Sequence, residues 1–305
     1  MADQVRGIET PNPVLDTVLI LGCGYAGSRV ASRLLRRGLT VHVTATRPEE
    51  LARLAARGAR PHRLDVREPG QVESLAALAR TLSQPLAVLH SVPLVEEDAV
   101  EVDPTPRLVA ALAGRPARLV YLSTTSVYGT TVAVDESTPP APRRERERLR
   151  VAAEQAAAAG PWTTLVLRPA AIYGPGRGAH VAVRTGRYRS VGAGSHVLSR
   201  IHVDDLAALV EAALSSHVTG AYPVADDQPA ASAEVAAFVA GLLGHAPTNP
   251  RPSADRIGAS HVPRHVDGRA IRRLLGVTLQ YPGYREGIPA AIAAEEQAGP
   301  LPESP

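Results

Sequence analysis

Thr17-Val-Leu-Ile-Leu-Gly22-Cys-Gly24-Tyr-Ala-Gly27-Ser-Arg-Val-Ala-Ser-Arg-Leu-Leu-Arg-Arg37-Gly38 decides how the rest of this chain is read. An apolar run turns through Gly-x-Gly-x-x-Gly, and apolar residues then recur at helical spacing at Ala26, Val30 and Leu34. The pattern predicts strand, tight turn and helix in succession. Gly22 permits the turn, Gly24 lets backbone approach a ligand, and Gly27 lets helix and strand pack closely. With Tyr25 and Ala26 they open a helix whose unpaired N–H groups and positive dipole end favour a pyrophosphate. A dinucleotide is the expected ligand of this unit.

Outward from it, apolar runs alternate with amphipathic segments, the sign of a parallel sheet with crossover helices. Strands are expected at 17–21, 40–44, 59–63, 86–90, 118–123 and 163–168. Helices are expected at 26–37, 49–57, 72–82, 105–113 and 144–159. The fold class is therefore α/β, a doubly wound parallel sheet of six strands over 17–168. Residues 1–16 read as a loose arm, 169–296 as mainly a small C-terminal substrate lobe, and 297–305 as a tail. Within the lobe, 174–195 is a Gly- and Arg-rich loop, 204–215 and 233–243 are helices, and 221–224 is a short strand.

Composition narrows the function classes. The 305 residues are 45% hydrophobic and 21% charged, ordinary for a globular protein, with a net charge of only +3. No aromatic-interleaved basic stripe suggests nucleic acid, and no segment has the length and apolarity of a membrane span. A lone cysteine, Cys23, excludes an intrachain disulfide and suits a cytoplasmic location. No metal site is expected: His261 and His265 are four apart, but Pro263 between them breaks the helix such a pair needs.

The second strand ends in Thr44-Ala45-Thr46-Arg47, where NAD sites usually carry a carboxylate for the ribose 2′-hydroxyl. A guanidinium at 47 matches a 2′-phosphate in shape and charge, so NADP (as NADPH) is expected in preference to NAD, with Thr46 beside it. Asp65 and Val66, ending the third strand, stand where an adenine amino group would be met.

Several later stretches add a resemblance. Leu122-Ser123-Thr124-Thr125-Ser126-Val127-Tyr128-Gly129, Leu167-Arg168-Pro169-Ala170-Ala171-Ile172-Tyr173-Gly174-Pro175-Gly176 and Arg200-Ile201-His202-Val203-Asp204-Asp205-Leu206 follow the glycine motif in order. Gly220 to Asp227 and Tyr281 to Gly287 supply two further landmarks. The chain thus resembles the extended short-chain dehydrogenase/reductases, the NAD-dependent epimerase/dehydratase family. The resemblance implies a Rossmann-type fold and cofactor contacts at Ser123, Pro169 and Ile172, with Thr124 orienting a substrate carbonyl. It also leaves room for a homodimer paired through the fourth and fifth helices.

One departure stands out. That family uses Tyr-x-x-x-Lys on the fifth helix, but alignment on Ala152-Ala153-Glu154 puts Arg146 at the tyrosine position and Arg150 at the lysine position. The chain contains no lysine at all. Arg150 can still donate to ribose hydroxyls, whereas Arg146 stays protonated and cannot exchange protons. Tyr128, Tyr173 and His90, the last at the end of the fourth strand among the cofactor contacts, are the alternative proton donors. Arg177, Arg184, Arg187 and Arg189 in the glycine-rich loop would favour an anionic substrate. The expected function is an atypical NADP-dependent oxidoreductase or epimerase-like enzyme acting on a small carbonyl or hydroxyl metabolite. The alternative is an NADP(H)-binding sensor or scaffold that has lost its catalytic residues.

Overall fold

The computed structural model describes residues 15–190, 196–244, 251–252 and 263–298. The arm at 1–14, His261 and the tail from 299 lie outside the described residues.

Seven parallel strands form the central sheet: β1 (Thr17–Leu21), β2 (Thr40–Ala45), β3 (Arg60–Arg63), β4 (Leu86–His90), β5 (Arg118–Leu122), β6 (Thr163–Pro169) and β7 (Gly220–Val224). Their spatial order is β7-β6-β5-β4-β1-β2-β3, all parallel. Every residue of β1, β4 and β5 is buried, as a strand covered on both faces requires. Alternation assigns the faces. Val18, Ile20, Ala87, Leu89, Val120 and Leu122 face one core with Val30, Ala31 and Leu34 of helix α1 (Tyr25–Arg36). Leu19, Leu21, Leu86, Val88, Leu119 and Tyr121 face the other, against α3 (Pro69–Thr81), α4 (Thr105–Ala111) and α5 (Glu145–Ala158). Between β2 and β3, α2 (Pro48–Ala55) begins on a proline at its first turn.

The six-strand expectation is corrected to seven. The segment at 220–224 pairs with β6 over Gly220↔Leu165 to Val224↔Pro169. Helix α7 (Val203–Leu214) buries Leu206, Leu209, Val210 and Ala213 in the α1 core. The Rossmann layer therefore draws β7 and α7 from beyond residue 168. These apolar residues pack on β-sheet and α1 surface that would otherwise face water, which outweighs continuity along the chain.

What remains forms the small lobe. Helices α6 (Ala179–Arg184), α8 (Ser232–Leu242) and α10 (Tyr284–Ala298) close over Tyr173, Val183, Val235, Val239 and Ile288. Helix α9 (Arg269–Leu275) instead contributes Ile271 to the α1 core. A two-stranded parallel pair, Ala171–Tyr173 with Arg200–His202, joins the lobe to the end of β6. No helix among the described residues is long and apolar enough to cross a membrane.

Candidate cofactor and active site

The order of the strands reverses between β1 and β4, and in such sheets ligands bind at the carboxyl ends beside that reversal. The glycine turn is built there. Gly22 has φ +79, and a Cβ on it would stand 2.9 Å from the backbone nitrogen of Val92. Gly27 would bring a Cβ to 3.0 Å from the Gly22 carbonyl oxygen. A Cβ at Gly24 would meet nothing within 4 Å, so here the missing side chain opens space instead of relieving a clash. That is the approach a pyrophosphate needs at the first turn of α1. The Gly22 amide donates to Thr44 Oγ1 (3.0 Å), and Ser91 Oγ donates to the Gly22 carbonyl (2.7 Å). β2 and the β4 exit thus clamp the turn from both sides.

A cavity of about 350 Å³ adjoins it, lined by Gly22, Gly24, Thr46, Glu50, Leu64, Asp65, Val66, Arg67, Ser91 and Val92, among others. Of the expected dinucleotide contacts, Thr46, Asp65 and Val66 meet in it. Asp65 has both carboxylate oxygens on Arg67, with Nε at 2.8 Å and Nη2 at 2.5 Å, and that guanidinium holds its carboxyl below the usual carboxylate range. Arg47 occupies the N-cap position of α2, but its exposed side chain makes no capping bond; it lies 3.7 Å from Glu50 and is not among the lining residues. Glu50 is. A carboxylate, absent at the strand end, thus stands one helical turn later, a placement legible only once Pro48 is known to start α2. Cys23 is buried and its thiol is pushed up to about 12 by desolvation, so it is a small packing residue and not a nucleophile.

A second cavity of about 400 Å³ opens at the ends of β5 and β6, lined by Ser123, Thr124, Ser126, Pro169, Ile172, Arg177, Ser199 and Arg264 with their neighbours. Thr124 caps the short 3-10 helix Thr125–Tyr128, its Oγ1 accepting from the Ser126 amide at 3.1 Å. The hydroxyl proton stays available to a substrate oxygen. Among the described residues no carboxylate lines this cavity. Arg264 is buried there and donates from Nε, Nη1 and Nη2 to the carbonyls of Thr131, Thr125 and Gly129.

Five expected site residues are corrected by where their side chains go. His90 belongs to the α3–α5 face of β4 by alternation and is fully buried. Its Nε2 lies 2.9 Å from Thr105 Oγ1, and its Nδ1 accepts from the Val92 amide. It touches the core and not the crevice. Arg150 turns to the same side, donating to the Tyr121 hydroxyl at 2.7 Å and pairing with Asp103 at 3.1 Å, which removes it from the expected ribose contact. Arg146 is exposed and pairs with Glu101 at 3.1 Å. Tyr128 is fully buried with its hydroxyl accepting from Arg168, and Tyr173 donates to the Gly283 carbonyl. Burial raises both phenols above the ordinary tyrosine value. Neither is presented as a proton donor.

Beneath the second cavity lies a group that sequence reading missed. Arg168 and Glu154 form a buried two-pronged pair (3.0 and 2.6 Å), and Ser123 Oγ donates to the same carboxylate. Tyr128 completes the group at 3.1 Å. It fixes the end of β5 immediately before Thr124. Among the described residues no group of three or more His, Cys, Asp or Glu is placed to hold a metal ion.

Burial pushes His90 down to about 3, helped by the nearby Arg150 charge. The unfolded ring titrates near 6.5, so the folded state's preference for neutral His90 is intact above that pH. It is lost as pH falls, by about 1.4 kcal/mol per unit. The stability gap between wild type and His90→Gln, followed by urea unfolding, is expected to narrow by that amount for each unit below 6.5. A gap constant from pH 8 to 5 would mean that the ring is solvated.

Comparison with known proteins adds three findings. The family model described as "NAD dependent epimerase/dehydratase family" matches residues 18–225. Among curated proteins, a 4-hydroxy-2-methyl-3-oxo-4-farnesyl-3,4-dihydroquinoline-1-oxide ketoreductase of Stigmatella aurantiaca is 28% identical over 208 residues, 60% of this chain and 59% of that protein's length. Among solved structures, a conserved protein of unknown function from Silicibacter pomeroyi is 32% identical, with TM-score 0.76 over 92% of this chain and 99% of that one. The UDP-glucose 4-epimerase of Thermus thermophilus, solved with NAD, shares the fold at 24% identity and TM-score 0.78, covering 93% of this chain and 100% of that one.

Proposed function

This chain belongs to the NAD dependent epimerase/dehydratase family, and from that premise we propose that it is an NADP-dependent oxidoreductase or epimerase-like enzyme acting on a small carbonyl or hydroxyl metabolite. One observation carries the reading: the open cradle at Gly24 and the Thr124 cavity lie along the same edge of one sheet. A nicotinamide cofactor, when bound, supplies the hydride donor or acceptor. The residues suited to hold it are the amides of the Gly22–Gly27 turn, Thr46, Val66 and Arg47 on the adenosine side, and Pro169 and Ile172 on the other. The Thr124 hydroxyl orients the substrate oxygen. Among the described residues lining that cavity there is no carboxyl, imidazole, thiol or phenol, so we assign the exchanged proton to water entering the cavity.

The reading predicts that Thr124→Val lowers kcat about 100-fold, the usual loss for one donor aimed at a developing oxyanion, with cofactor affinity unchanged. Stopped-flow mixing of enzyme and NADPH with a panel of carbonyl metabolites tests the assignment. No hydride transfer across a broad panel, despite tight NADPH binding, would overturn it. That outcome would favour the second reading, an NADP(H)-binding sensor or scaffold, which draws support from the same lack of a titrating acid and from the outward-turned Arg146.

A further inference from the structure

We propose that Arg177, and not Arg150, supplies the positive charge that faces the diphosphate and nicotinamide ribose, doing from a different element what the family's lysine does from the fifth helix. The proposal rests on the cofactor reading above. Arg177 sits in the Gly174–Gly178 loop, far in sequence from the glycine turn yet packed against it. Its guanidinium carbon lies 5.4 Å from the centroid of the Tyr25 ring, and Tyr25 directly follows Gly24 at the first turn of α1. The same side chain lines the Thr124 cavity. It therefore bridges the two halves of the crevice.

The loop is fixed in that position by contacts of its own. The Tyr25 hydroxyl donates to the Pro175 carbonyl at 3.1 Å. The amides and carbonyls of Gly174 and Arg177 bond each other reciprocally at 2.9 Å. The Gly176 amide donates to Glu295 of α10, whose carboxylate also holds His180 at 2.8 Å and Arg184 at 2.6 Å. A Cβ at Gly174 would stand 2.7 Å from Val203 Cγ1 and 2.9 Å from the Tyr25 hydroxyl, so only glycine lets the loop come this close.

Neighbouring guanidiniums are already committed. Arg29 pairs with Asp204 at 3.5 Å, Arg33 with Glu211, Arg184 with Glu295, and Arg264 with three carbonyls. Among the described residues Arg177 has its stacking contact on Tyr25 and no ion pair, and no carboxylate lines the cavity it enters. A planar fork of N–H donors beside a helix N-terminus is suited to phosphate oxygens and ribose hydroxyls.

Calorimetric titration with NADPH and with 2′,5′-ADP, which lacks the distal phosphate, ribose and nicotinamide, separates the possibilities. Arg177→Met is expected to weaken NADPH at least 10-fold while 2′,5′-ADP stays within about twofold. Arg177→Lys is expected to recover most of the NADPH loss. NADPH binding unchanged in Arg177→Met overturns the proposal, including the case where the variant instead raises the KM of an anionic substrate. Equal losses for both probes overturn it too, since the effect would then run through the fold. If wild type binds neither NADPH nor NADH, the cofactor reading itself fails and takes the proposal with it. Should wild type bind NADH alone, the same comparison runs with NADH and 5′-AMP.

Discussion

Replacing Arg47 by alanine is expected to raise the dissociation constant for NADPH about 10- to 100-fold and to leave that for NADH within about threefold. A charge-assisted hydrogen bond to phosphate is worth about 1.5–3 kcal/mol, and each 1.4 kcal/mol is tenfold in affinity. Arg47 ends the β2 exit, with its side chain 70% exposed and free to swing onto a 2′-phosphate. Its present partner, Glu50, lines the adenosine cavity, so loss of Arg47 also leaves a carboxylate facing the incoming phosphate with only Arg53, 4.0 Å away, to offset it. Both effects penalise NADPH. Neither penalises a ribose diol, which Glu50 is suited to accept. Titration of wild type and variant with both nucleotides checks the difference. Equal loss for the two would show that Arg47 acts through the local fold and not on the 2′-phosphate, and NADP selectivity would have to be sought elsewhere.

Glu154→Ala is expected to lower the stability of the fold by about 3–5 kcal/mol, because it strands the Arg168 guanidinium in the interior. Side-chain exposure is only 6% for Arg168 and 7% for Glu154, so water cannot replace the lost partner. Ser123 loses its acceptor at the same time. The double variant Glu154→Leu with Arg168→Met removes both charges and should recover much of that loss, since apolar groups of similar volume often replace a buried pair at little cost. Urea unfolding of the three proteins measures both effects. A single variant within about 1 kcal/mol of wild type would mean that the carboxylate is hydrated or that Arg168 escapes to solvent. If the double variant folds but turns over more slowly, the pair also positions Thr124, which lies next to Ser123.

The dinucleotide half of the site was largely legible from the sequence. Gly22, Gly24 and Gly27 act through backbone geometry, which neighbouring residues encode. Thr46, Asp65 and Val66 follow from strand ends that parallel pairing brings to one edge. The other half was not. His90 and Arg150 are expected at the crevice, but both belong to a polar group with Thr105, Asp103 and Tyr121, assembled from two strands and two helices. For His90 a signal existed: counting by twos from Leu86 and Val88 places it on the α3–α5 face. For Arg150 none did, since Asp103 is remote in sequence. Within the charged run at 143–150, Glu147 is buried and accepts the amides of Arg143 and Arg144.

Local physics, then, was enough to set the strand–turn–helix opening and the parallel alternation, because each depends on residues within a turn or a strand of one another. Tertiary packing alone decided which arginines stay free. A guanidinium takes whichever carboxylate or carbonyl the fold carries to within about 3 Å, and long-range Coulomb pairing in a low-dielectric interior leaves no trace in sequence spacing. That selection binds Arg150, Arg168 and Arg264 into the scaffold, and it leaves Arg177, stacked on Tyr25, between the glycine turn and Thr124.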